Sequence, residues 1–156
     1  MTNDHLLEWD HLDIRLRGTT IQKNLSEFLR EKRVPVSDLR LKFLDGELQV
    51  SAKIQKGVPI PVKLTVRQIV ASGRTLRIAL DDIATFGILP IPKLHFQILG
   101  RKLPRGISLE AETMHLSVSL ERFLPEFLDL TIESVEIIRG GIALYLGKGG
   151  ASLPKR

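Results

Sequence analysis

The sequence predicts an α+β domain in which a strongly curved antiparallel sheet, laid out as a meander, packs around one amphipathic helix, with a short second helix beside it. Three observations predict this. First, between Leu39 and Ile83 apolar residues alternate through Leu39, Leu41, Phe43, then Leu48, Val50, Ala52, Ile54, then Val58 to Val66, then Leu76, Ile78 and Leu80. A period of two places these on one face of a pleated sheet and Arg40, Lys42, Gln49, Ser51, Lys53, Lys63, Thr65, Arg67, Thr75 and Arg77 on the other. Second, Asp45-Gly46, Gln55 to Gly57 and Ser72-Gly73 punctuate the runs as hairpin turns do. Third, Ile21, Leu25, Phe28 and Leu29 recur at the spacing of one helical face.

The 156 residues suit a single domain over 1–156, long enough to bury a core without staples. A composition of 43% hydrophobic and 26% charged residues excludes wholesale disorder. Cysteine is absent, which removes disulfides, thiolate nucleophiles and cysteine-based metal sites. Asp4, Glu8 and Asp10 make the start of the chain unlike a secretory signal, and no apolar run is long enough to cross a bilayer, so a cytoplasmic, membrane-peripheral protein is expected. The net charge of +5 favours anionic partners, yet the basic residues are dispersed and one Trp and one Tyr offer little stacking, so no nucleic-acid partner is expected.

In chain order, Leu12, Ile14 and Leu16 form a short strand ending at Gly18, and Thr19 or Thr20 is placed to cap the helix that follows. Arg30, Lys32 and Arg33 suit its last turn, and Pro35 stops it. Pro59 and Pro61 lack N–H groups on the same edge of their strand, which predicts a sheet margin or opening at Val58 to Val62. The apolar register slips from Val66 to Ile69, implying a bulge near Arg67-Gln68, and slips again near Thr113-Met114. Between them, 86–99 is unusually greasy for a connection. It is either a buried crossover with a short helix from Lys93 to Leu99, or an apolar lip collared by Lys93, Arg101, Lys102 and Arg105 as anion or headgroup contacts. Pro125, among Phe123, Leu124, Phe127 and Leu128, suits the first turn of another short helix, and a hairpin turning at Gly140-Gly141 closes the fold. The glycine-rich stretch 147–156 reads as a flexible tail. A pattern of strand, helix, strand, turn and strand over Leu12 to Ile54 is echoed in shorter form over Leu116 to Leu146.

No catalytic residue, cofactor or metal ligand is expected. The motif G-x-S-x-G is missing, and His5, His11, His95 and His115 are dispersed without metal-ligand spacing. Asp81 and Asp82 should point to opposite faces of a strand, whereas Glu110 and Glu112 can share one as a solvated edge. Gly147-Lys148-Gly149-Gly150 lacks the hydroxyl residue and the helix that a phosphate loop needs.

The helix preceding Val36-Ser37-Asp38-Leu39-Arg40-Leu41-Lys42-Phe43-Leu44-Asp45-Gly46-Glu47-Leu48-Gln49-Val50, together with the closing hairpin from Val135 to Leu144, resembles the LmeA-type phospholipid-binding family of the tubular lipid-binding (TULIP) superfamily. The resemblance, over about Thr20 to Leu146, implies a groove between curved sheet and helix that holds acyl chains. It implies a lining of Ile21, Leu25, Phe28, Phe86, Ile88, Leu89, Ile91, Leu94, Phe96 and Leu99. The expected function is then non-enzymatic binding of a lipid or other long apolar small molecule, at an anionic membrane surface. The alternative is an interaction module that covers its apolar surface by forming a homodimer.

Overall fold

The computed structural model describes residues 5–85 and 93–153. The chain forms β1 (Leu7–Trp9), β2 (Leu12–Arg17), α1 (Gly18–Glu31), β3 (Val36–Leu44), β4 (Glu47–Lys56), β5 (Val58–Val66), β6 (Ile69–Ser72), β7 (Thr75–Ala79) and β8 (Asp81–Thr85). It continues with α2 (Lys93–Arg101), β9 (Ile107–Glu110), β10 (His115–Ser119), a single 3-10 turn at Leu120–Arg122, β11 (Leu128–Asp129), β12 (Ile132–Ile138), β13 (Gly141–Leu146) and β14 (Gly149–Ala151). It is a mostly-β protein with antiparallel sheets and one main helix.

The expected single, strongly curved sheet is not what forms. Four separate sheets, none strongly curled, run in the orders β3-β4-β5-β8, β6-β7-β10-β9, β12-β13-β2 and β1-β14-β11. The register slip at Arg67-Gln68 marks where the chain changes sheets: β5 stops at Val66 and Ile69 pairs with Ile78 of the next sheet. A shift of one residue swaps the faces, so the slip would have exposed the apolar set had the strand kept its partner. The second slip is likewise a turn, with Met114 in the left-handed region, between β9 and β10.

Alternation is otherwise obeyed. Phe43, Leu48 and Val66 lie side by side on β3, β4 and β5, and with Ile137 form a buried cluster. Ile21 of α1, Ile69 and Ile78 of the second sheet, and Ile142 of β13 pack on it. The core therefore sits where three sheets and the helix meet. β5 is an inner strand, and among the described residues β8 pairs with it at Val62, Lys63 and Thr65. The segment that would face Pro59 and Pro61 beyond Thr85, where a sheet margin is expected, lies outside the described residues.

Helix α1 follows β2 with no linker. The predicted threonine cap is not used: Thr19 and Thr20 lie inside the first turn, and Arg17 occupies the cap position without a side-chain bond. The Gly18 N–H instead donates to the Gly140 carbonyl at 2.7 Å, because the β12–β13 turn is already beside it. A Cβ on Gly18 would collide with the Phe43 ring, so only glycine lets the helix start so close to the core. At the other end Arg33 takes φ 53° and the Val34 N–H reaches back to the Leu29 carbonyl at 2.9 Å, a left-handed stop completed before Pro35. Alongside, Gln22 accepts the Leu41 N–H at 2.9 Å and so covers part of the free edge of β3.

The repeated pattern is joined physically at its two turns. The Gly46 N–H donates to Ile137 and the Gly140 N–H to Phe43, at 2.9 and 3.2 Å. The second unit has only the 3-10 turn where the first has α1, and that turn precedes Pro125 rather than starting at it.

The expected flexible tail is partly a strand. β14 is the middle strand of its sheet, between β1 and β11. Its glycines serve close approach: a Cβ on Gly149 would collide with the Asp129 carbonyl and come within 2.9 Å of the Trp9 ring, and one on Gly150 would strike His5. Residues 154–156 lie outside the described set.

Candidate functional site

Helix α1 packs chiefly on β3, with smaller contacts to β2 and β13. Its amphipathic spacing places Ile21, Leu25, Phe28 and Leu29 on one helical face, and all four are half-buried. Ile21 joins the core cluster. Phe28, further along, meets the edge of Phe123 with ring centroids 5.8 Å apart and planes at 71°.

Phe123 is 41% and Phe127 38% exposed, high for aromatic rings that have partners nearby. Both are held by backbone. The Phe123 and Leu124 N–H groups donate to the Leu120 carbonyl, the Leu128 N–H donates to Pro125, and the Ser152 N–H donates to Phe127 at 2.8 Å. The loop after α2 rests against Phe123. Gly106, at φ +92°, leaves room for it: a Cβ there would lie 2.9 Å from the Arg122 stem and 3.3 Å from the Phe123 ring. Arg101 ends α2, Lys102 and Arg105 lie between it and Gly106, all three are exposed, and none has a carboxylate within salt-bridge distance among the described residues. The result is a partly exposed Phe28–Phe123 contact, with the exposed Phe127 four residues further along the chain and a basic segment before Gly106, tempered by the exposed Glu121 and Glu126.

This gathering differs from the expected lining. Phe28 meets Phe123 and Leu25 is half-buried on the same helix, whereas Phe96 is 5% exposed and belongs to the interior, because α2 lies on β9 with Gly100 against Leu109. Leu99 is half-buried on the same helix. Phe86, Ile88, Leu89 and Ile91 lie outside the described residues, as do the side chains of Lys93 and Leu94. Phe123 and Phe127 were not among the expected site residues. Their signal was two phenylalanines four apart around a proline, read as helix packing.

Several titratable groups are engaged in structure. Arg67 meets Asp82, Glu47 and Asp81, and hydrogen bonding to Asp82 holds its pKa above the usual arginine value. Asp81 and Asp82 thus do share a partner, contrary to strand alternation, because Asp82 sits at φ 51° where β8 and β5 fall out of register. Tyr145 donates to Glu136 at 3.1 Å, which raises its pKa. No group of three or more candidate metal ligands occurs among the described residues. The His115 Nδ1 and Trp9 Nε1 atoms are buried without a described partner.

Glu110 accepts from the Thr113 hydroxyl and from Arg77, both at 3.0 Å, and these bonds lower its pKa below the ordinary carboxylate value. A lowered folded pKa contributes stability that is present above the unfolded pKa and lost as pH falls through the folded one. Carbon-detected NMR should therefore find Glu110 titrating below the ordinary glutamate value. Thr113→Val should move it upward, and an unchanged midpoint would remove the hydroxyl as a cause.

No family model, curated protein or solved structure matches this chain. Among the described residues, no helix is long and apolar enough to cross a membrane.

Proposed function

We propose that this protein binds a lipid or another long apolar ligand without chemistry, between α1 and the sheets facing it, and meets an anionic membrane surface through the rim at Phe123 and Phe127. The observations that carry this reading are the exposed rings Phe123 and Phe127, the first of them against Phe28 of α1, and the exposed cations Arg101, Lys102 and Arg105 in the segment leading to Gly106, which meets Phe123. Apolar residues next to cations suit the boundary between acyl chains and anionic headgroups. A thin core adds support: among the described residues no large side chain falls below 2% exposure. Each half-covered apolar side chain on α1 retains part of the roughly 1.5–3 kcal/mol that full burial supplies. A ligand along that face would recover some of it, as the resemblance to the LmeA-type family implies.

The test is sedimentation with phosphatidylcholine vesicles containing about a fifth phosphatidylserine, with native mass spectrometry of the purified chain for retained lipid. The wild type should sediment and carry lipid-sized mass, and Phe123→Ser with Phe127→Ser should lower the bound fraction several-fold, since each ring contributes apolar burial. An empty protein without vesicle affinity overturns the reading. So does a dimer, seen by light scattering, in which the same double substitution releases monomers: that outcome assigns the rim to self-association.

A further inference from the structure

The face of β3-β4-β5 turned away from α1 has no covering element among the described residues and carries a second, chemically different feature. Arg40, Ser51 and Lys63 stand in one row across three strands, and Lys42, Gln49 and Thr65 stand in the next. These six outward residues line an open depression of about 390 Å³. That volume lies in the range of small-molecule sites.

The charges are unequally satisfied. At one end Lys53 pairs with Asp38 at 3.2 Å. At the other Arg67 gathers Glu47, Asp81 and Asp82, so the Asp82 carboxylate that reaches the depression is already bound. Arg40, Lys42 and Lys63, between these ends, have no carboxylate within salt-bridge distance among the described residues. Their roots are set by the sheet: about 7 Å from Arg40 to Lys42 along a strand, and about 10 Å from Arg40 to Lys63 across two strand spacings. Long side chains rooted so closely repel one another unless an anion sits between them. The Ser51 and Thr65 hydroxyls and the Gln49 amide supply neutral donors on the floor.

We infer that this depression is a binding site for a soluble molecule bearing a diphosphate group. Three cations lining one depression match the multiple charge of a diphosphate better than the single charge of a carboxylate, and arginine with lysine is a common phosphate-binding pair. A flat bilayer would not fill a concave site. The depression has no aromatic side chain to stack on bases, so nucleic acid would contact it through backbone phosphates alone. The site lies on the opposite sheet face from the rim and stands independently of the lipid reading.

Calorimetric titration of the full chain with pyrophosphate at low ionic strength tests it. Saturable binding is expected that weakens with added salt and falls about tenfold or more in Arg40→Gln with Lys63→Gln, because each charge-assisted contact removed is worth at least that factor. Binding unchanged by Phe123→Ser with Phe127→Ser supports a site separate from the rim. Absence of saturable pyrophosphate binding by the folded wild type overturns the inference. An equal loss on replacing Arg101, Lys102 and Arg105 by Gln overturns it too, as does affinity for anionic vesicles or duplex DNA that depends on Arg40 and Lys63 in the absence of pyrophosphate binding.

Discussion

Phe43→Ala is expected to lower unfolding stability by about 3–5 kcal/mol, the cost of emptying a buried phenylalanine site. The ring is 7% exposed and lies at the junction of the first sheet, β12 and the start of α1. It touches Gly18 so closely that no Cβ fits between them, and the Phe43 carbonyl also accepts the Gly140 N–H. Truncation removes contacts from all three elements together, and the helix backbone cannot sink into the void without breaking its bond to Gly140. Against a total of about 5–15 kcal/mol for a domain, that loss would populate unfolded chains at ambient temperature. Urea denaturation checks it, with Val70→Ala as the reference, since Val70 is 47% exposed. Equal shifts in the two variants would show that Phe43 is not at the centre of the core.

Gly149→Val should release the terminal sheet. The new side chain would meet the Asp129 carbonyl on one side and the Trp9 ring on the other, so β14 must move away from both β11 and β1. Overpacking of this kind costs about 1–3 kcal/mol. Trp9 is the single tryptophan of the chain and half-buried, so its fluorescence reports the change directly. Emission should move to longer wavelength in Gly149→Val and stay in place in Lys148→Ala, whose side chain is exposed. Unmoved emission in the valine variant would mean that β14 does not pack on Trp9.

Much of the secondary structure was legible because burial on one face writes a period into the chain. β2 ends beside Gly18, α1 carries the face from Ile21 to Leu29, the Asp45-Gly46 turn joins β3 to β4, and a short helix covers Lys93–Arg101. The misreadings share a cause. Glycine signals conformational freedom and close approach equally well, so Gly147 to Gly150 read as slack when Gly149 and Gly150 are in fact crowded by Trp9 and His5. A register slip signals a bulge and a change of sheet equally well, so Arg67-Gln68 read as a bend. Asp81 and Asp82 read as opposed because alternation assumes a regular strand, and Asp82 departs from one.

The candidate sites were less legible. The helical half of the rim could be found from spacing, but Phe123 reaches Phe28 across 95 positions of chain, and no local pattern encodes that meeting. The outward cations could be named from alternation, although not their lack of carboxylate partners among the described residues, which depends on which acids the neighbouring strands bring alongside.

The sequence by itself determined which residues face inward, where the chain turns, and that the outer face of β3 to β5 is basic, since these follow from short-range periodicity and backbone preference. Only the tertiary structure decided how the strands divide among four sheets, which rings stay uncovered, and which charges are neutralised. Those outcomes depend on pairings between distant segments, where hydrogen-bond register and packing volume choose among partners that look alike along the chain.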